Sequence, residues 1–440
     1  MNKTIKSLKR INRRLYLALL VLGLCPAIYT TLRTYFLGRL PGEWAYSIAG
    51  QLGWVNLIYE IVSEAIILPL FFFIGQVVSD REAFTNRVRT GLLISLGAYS
   101  ALSALILIFA EPLLAAMAAS PDIIQESAAY IRIEGIANVF EILFRFASVA
   151  LVSLGSARSV YALTGAKLAP CVVSDTFLVS TLPISLNLGV NGVGISNVIV
   201  NALLFAAAVL LLAKQGCRVF GRGPLSFAWA KEFARVGGVS GLESFVRNIA
   251  YMLMVSRMVN MVGEQGTYWV ANNFIWGWML LPVLQLGELI KQETAADEKA
   301  VERNSLGYFF ITAAVCVLWV ALIPTYKPFM RYVLGYSDAD KLFELVMVLL
   351  GPYVLYAFQN VFDCTFYGRG RTDLMLLESV VTNAVYYGAF FVLYLTGVWT
   401  PSLLGVALMF GGGNAFDSVV SAVVYARFLK KNRCDLFRVE

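Results

Sequence analysis

The 440 residues contain no histidine. That removes the commonest side chain for proton shuttling, metal ligation and base catalysis near neutral pH. Cysteine is scarce as well. Cys25, Cys171, Cys217, Cys316, Cys364 and Cys434 stand singly without C-x-x-C spacing, which indicates neither a disulfide framework nor a structural metal site. Charged residues reach only 14% against 59% hydrophobic, and the mean hydropathy is +0.71. Such a chain cannot cover itself with a water-facing surface; its main solvent is lipid. The same absences speak against an enzyme: there is no H-E-x-x-H and no acidic cluster at metal spacing in a loop. No short filter-like segment stands between the apolar runs, which speaks against a channel.

What is present is a series of twelve apolar spans. In the first half they run Leu15 to Leu37, Ser47 to Ile74, Gly91 to Met117, Ile124 to Ser153, Tyr161 to Ser185 and Gly192 to Leu212. In the second they run Phe233 to Val262, Gly266 to Ile290, Leu306 to Ile323, Phe343 to Phe366, Leu374 to Leu395 and Leu403 to Leu429. Each is about 18 to 30 residues long, enough at a rise of about 1.5 Å per residue to cross a hydrocarbon core of about 30 Å. Long runs in place of short alternation exclude a β-barrel and predict an all-α integral membrane protein.

The two halves carry matching punctuation. YFLGRLPGEW stands early in the first and VNMVGEQGTYW early in the second; LVSLGSARS and TFYGRGRTD stand late in each. The offset stays near about 213 to 225 residues, the mark of an internal repeat. Two pseudo-symmetric six-helix lobes are therefore expected: 1–213, a cytosolic linker over 214–232, and 233–440 with a basic C-terminal tail. A duplicated bundle is the architecture of secondary transporters, whose halves rock about a central site.

Lysine and arginine resist translocation in short loops. Placing the N-terminus in the cytosol puts roughly 26 of the 35 on the cytosolic side. Both termini are then cytosolic, the protein is multi-pass in the cell (cytoplasmic) membrane, and the first apolar run is too long for a cleaved signal peptide. The basic N-terminal arm, KTIKSLKRINRR, reads as an orientation signal and a contact for lipid headgroups, not as a nucleic-acid patch. The expected partners are a small-molecule substrate and membrane lipids, with the chain a monomer and needing no cofactor beyond H+ or Na+.

Ionisable side chains at mid-bilayer depth cost about 2.5 to 3.5 kcal/mol, so those present face the interior or a water-filled cavity. Glu60, Glu64, Glu141, Asp175, Glu243, Asp417, Arg33, Arg145, Arg247 and Arg257 lie deep, whereas Glu111, Asp363 and Glu378 lie near an interface. Glu141 and Arg145, like Glu243 and Arg247, are four apart and can neutralise each other on one helix face or line a substrate cavity. Glu60 and Glu64 are also four apart but like-charged. One of them should hold a proton, or a bound cation or Arg33 should sit between them. Glu64 precedes Glu288 by the offset that relates Gly42 to Gly266, so both halves place an acid there. Glu60, Glu64 and Asp175 are accordingly the candidates for cation coupling. Trp54, Tyr59, Trp269, Phe274, Trp276, Trp278, Tyr353 and Tyr356 prefer interfaces, or line a cavity that stacks flat cations. Pro26, Pro69, Pro170, Pro183, Pro282 and Pro352 permit bends. Gly38, Gly42, Gly192 and Gly194, and the GGGN run at 411–414, serve turns and close packing.

YFLGRLPGEW, AAYIRIEGIANVFEILFRFASVALVSLGSARS, LNLGVNGVGISNVIV and FYGRGRTD together resemble the multidrug and toxic compound extrusion (MATE) family, within the multidrug/oligosaccharidyl-lipid/polysaccharide exporter superfamily. The resemblance covers nearly the whole chain. It implies a V-shaped pair of six-helix lobes exporting amphipathic organic cations against proton or sodium inflow. It also carries departures: Arg33 stands where many members have an acid, and Tyr356 replaces a span 10 acid while Gln359 keeps its companion place. In span 5, Asp175 and Val179 occupy the positions of an Asn and an acid. Arg33, Glu141, Arg145, Glu243, Arg247, Tyr356 and Gln359 are the expected substrate-binding set. The alternative is a flippase for an anionic or lipid-linked cargo that uses the intramembrane arginines.

Overall fold

The structure is a computed structural model that describes residues 2–40, 44–221, 225–432 and 434. Gly42, part of the linker and most of the basic tail lie outside the described residues. Among the described residues the secondary structure is helical, with no strand, and helical segments lie over all twelve expected spans. Nine of its helices are long and apolar enough to cross a membrane. A tenth span is the bent pair Gln265–Met279 and Leu281–Ala296, with a 55° break just before Pro282, which lacks the N–H that would continue the first helix. Spans 5 and 7 are interrupted. Ala157–Ala166 and Leu168–Leu178 form span 5; Ala230–Ala250 passes through a π-helical turn, Tyr251–Ser256, into Arg257–Met261 to form span 7.

Three boundaries move from their expected places. Span 3 begins at Arg81, ten residues before Gly91, because Asp80 caps it by accepting hydrogen bonds from the backbone of Glu82 and Ala83. Span 5 ends at Leu178, before Ser185, and its orphan groups are met by Leu186 and Leu188, whose amides bond back to Phe177 and Leu178. The helix of span 9 runs Ala300–Pro328, extending beyond Leu306 and Ile323 at both ends, and continues through a π-helical turn to Val333.

Packing groups these helices into two units, 32–269 and 270–440 joined by 1–31. Within the 32–269 unit, span 7 lies directly on span 2: Gly237 faces the Ala65 carbonyl, and Gln51 and Asn260 exchange reciprocal amide hydrogen bonds at 2.8 and 3.0 Å. The described part of the 214–232 linker packs in the same unit, with Asn86 and Ser226 paired twice and Trp229 donating to Thr90 at 3.0 Å. Trp54, Phe73, Phe84 and Phe146 fill this unit's core. In the other unit, the N-terminal helix Asn2–Arg10 docks on span 9, where Ser7 Oγ accepts from the Gly307 amide at 2.8 Å. Outward-facing Leu105, Ile108, Val317 and Val320 are all more than half exposed, as lipid contact requires.

Close approach explains the glycines. A Cβ on Gly192 would meet the Leu178 carbonyl oxygen at 2.6 Å, and one on Gly411 would meet Pro352 at 2.8 Å. The 411–413 run is thus a packing face. Gly192→Leu is expected to destabilise the protein by about 1 to 3 kcal/mol through overpacking, read as a lower melting temperature of the purified protein; an unchanged value would show that spans 5 and 6 do not pack this tightly.

Candidate functional site

A polar cavity of about 420 Å³ opens inside the 32–269 unit. Span 2 supplies Asn56, Tyr59, Glu60, Ser63 and Glu64, span 3 supplies Tyr99, and span 4 supplies Asn138, Glu141 and Arg145. Residues 56, 60 and 63 of span 2, and 138, 141 and 145 of span 4, recur every three or four positions, so each helix turns one polar stripe to the space. Tyr59 and Tyr99 form its floor, their rings 5.4 Å apart, with the Tyr99 hydroxyl donating to the Tyr59 carbonyl at 2.9 Å.

The charges pair partly within helices and partly across them. Arg145 binds Glu141 at 2.7 Å, the self-neutralised arrangement that their spacing allows. Arg247 serves two acids: one of its nitrogens reaches both oxygens of Glu64 at 2.7 Å, and its Nε forms the expected ion pair with Glu243 on its own helix at 3.4 Å. The cation beside the Glu60 and Glu64 pair is therefore Arg247, in place of the Arg33 expected as one option. Glu60 makes no hydrogen bond or ion pair with any described residue and faces the open cavity.

Arg33 instead meets Asp175 elsewhere in the same unit. Its Nε lies 2.6 Å from one carboxylate oxygen and a terminal nitrogen 3.2 Å from the other, and Ser196 accepts a further bond at 3.4 Å. Arg33 is 8% exposed and Asp175 fully buried, so this is a forked ion pair closed off from solvent. On span 4, Glu134 is also buried and accepts from Asn197 at 2.7 Å. Sequence reasoning passed over Glu134, although it stands seven residues before Glu141 on the same stripe. Arg257 donates to the Ala116 carbonyl at 3.0 Å.

Tyr356 and Gln359 lie in the other unit, apart from the eight charged candidates. Tyr356 packs edge-on against Trp276 and Tyr353. Gln359 spends its whole amide internally: it donates to Asp417 at 2.6 Å and to Asp363 at 3.2 Å, and accepts from Ser418 at 2.8 Å. Asp363 and Glu378 belong with Asp417 to one cluster, in which Glu378 is buried and the two aspartates are partly buried. Their signal was the spacing of four that puts Gln359 and Asp363, and Asp417 and Ser421, on shared helix faces. The repeat-related acids also part company: Glu288 is exposed and pairs with Lys291 at 2.7 Å, not with a counterpart of Arg247.

Residues 73–174 match the MatE family model. No curated protein matches the chain. Among solved structures, an inward-facing multidrug resistance MATE family transporter of the MOP superfamily is similar with a TM-score of 0.74 at 18% identity, covering 98% of this chain and 99% of that one. An aspartate-to-asparagine variant of the MATE transporter VcmN from Vibrio cholerae gives 0.71 at 12% identity, with 100% of both chains covered. A MOP superfamily transporter from Pyrococcus furiosus, described as having a binding pocket of reverse polarity, gives 0.68 at 17% identity, with 99% of both covered. The chain carries the MatE family model over residues 73–174 and, from end to end, has the fold of the MATE transporters.

Proposed function

We propose that this protein is a secondary exporter that moves amphipathic organic cations out of the cell by alternating access, coupled to inflow of protons or sodium. Its termini lie in the cytosol and it works as a monomer in the cytoplasmic membrane. The observation that carries this reading is Glu60, a carboxylate with no hydrogen bond or ion pair among the described residues, in a cavity of about 420 Å³. That volume suits a drug-sized ligand. Tyr59 and Tyr99 lie in the cavity wall but are each only 3% exposed, so the Glu60 carboxylate is the main attraction for a cation.

Of the three coupling candidates, Glu60 is the one left open. Glu64 is neutralised by Arg247 and Asp175 by Arg33. A group already paired has little differential affinity to offer, whereas Glu60 can exchange a proton or sodium ion for the cationic substrate. Reading the protein as a flippase for anionic cargo needs unpaired arginines in the cavity; Arg145, its one lining arginine, is held by Glu141. The pairing of Arg33 and Arg247 counts against that reading too.

In vesicles holding the purified protein, an imposed proton or sodium gradient is expected to drive uptake of a fluorescent amphipathic cation. Glu60→Gln should lower the gradient-driven rate by about 5- to 150-fold, the span of an ordinary coupling free energy. Full activity in that variant, or movement of an anionic lipid precursor and no cation, would overturn the proposal. Asp175→Asn strands a buried guanidinium, at a cost of about 3 to 5 kcal/mol, so the melting temperature should fall. A double substitution to apolar residues, Arg33→Met with Asp175→Leu, should recover most of the loss. If Asp175→Asn left stability intact and abolished only transport, Asp175 would be a coupling group after all.

A further inference from the structure

The carboxylates of the 270–440 unit form a second centre that the cavity does not use. Three helices build it: Ala339–Gly368 brings Gln359 and Asp363, Thr372–Val381 brings Glu378, and Leu403–Lys431 brings Asp417, Ser418 and Ser421. Asp417 has donors on both oxygens, Gln359 on one and Thr382 on the other, each at 2.6 Å. Asp363 likewise accepts from Gln359 at 3.2 Å on one oxygen and from Ser421 at 2.7 Å on the other. These donors are amides and hydroxyls, which solvate an anion without cancelling its charge.

Glu378 differs from both. It is 4% exposed, and its Oε1 has no hydrogen-bond partner among the described residues. The charged groups acting on it are Asp363 from span 10 and Asp417 from span 12, both acidic, with the Ser421 hydroxyl as the polar neighbour. An anion there would face two other carboxylates across a low-dielectric interior with one oxygen unsolvated. A neutral acid removes both difficulties, because it adds no third charge and gains an O–H to donate to a neighbouring carboxylate. Thr382, four residues after Glu378, opens the π-helical turn Thr382–Tyr387, and such turns gather at functional sites.

We propose that Glu378 binds a proton, held against Asp363 and Asp417, in a site inside the 270–440 unit that is separate from the Glu60 cavity. Binding adds one proton to a carboxyl oxygen of Glu378 and its release returns that proton to water; no other bond changes. Gln359 and Thr382 are positioning residues that keep Asp417 ionised as an acceptor. The proposal concerns the resting protein and does not rest on the exporter reading.

Infrared difference spectra of the full-length protein in lipid nanodiscs, recorded in H2O and D2O at neutral pH, test it directly. A protonated-carboxyl C=O band that shifts in D2O is expected in the wild type and in Glu60→Gln, and should be lost in Glu378→Gln. Saturating sodium should leave the band in place. Absence of the band in the wild type, its survival in Glu378→Gln, or its removal by sodium, which would make this a metal-cation site, overturns the proposal. Should Glu378→Gln fail to fold, Asp417→Asn retains Glu378 and removes a neighbouring charge. The band should then weaken at neutral pH, and a band of unchanged strength contradicts the assignment.

Discussion

Charge is expensive where water is absent, and the interior arrangement of this protein follows from that cost. An ion in hydrocarbon must find an opposite charge or a set of dipoles within the protein, and two helices that carry the halves of a pair are thereby fixed to each other. Arg33 on span 1 and Asp175 on span 5 form such a link, and Glu64 on span 2 and Arg247 on span 7 form another. Two carboxylates stand outside this scheme. Among the described residues, Glu60 opens on a cavity and Glu378 is closed among acids, and at these two places we propose that a mobile cation binds.

Much of the fold was legible because length and apolarity together dictate a membrane helix. Among the described residues, helical segments cover all twelve expected spans, and nine or ten of them are long and apolar enough to cross a membrane; the glycines at 192 and 411 sit at the close contacts their composition promised. Helix ends were less legible, since the Asp80 cap and the irregular stretch after Leu178 depend on local hydrogen bonds that apolar runs do not record. Breaks in spans 5, 7 and 8 were visible only as scattered prolines, and the π-helical turn at 251–256 contains none.

The candidate site was half legible for a specific reason. Spacing along one helix reports which residues share a face, and that sufficed for Glu141 with Arg145 and for the like-charged Glu60 and Glu64. It cannot report which other helix that face meets. Arg247 read as the partner of Glu243, which it is, and only the packing of span 7 on span 2 adds Glu64 as its second and closer partner. Distance from a span's end also proved a poor guide to burial: Glu378 lies near the start of its span yet is covered by neighbouring helices. The repeat has the same limit, for Glu64 and Glu288 match in sequence while one is tied to an arginine of another helix and the other to a lysine one turn away.

Glu60 is the carboxylate we propose to trade a small cation for a larger one. Calorimetric titration of the purified protein with an amphipathic organic cation, repeated in buffers of different ionisation enthalpy and in sodium-containing and sodium-free solution, reads that exchange at equilibrium. Binding should release a proton or displace sodium in the wild type and release neither in Glu60→Gln. Heats of binding that are independent of buffer and sodium in the wild type would contradict the account.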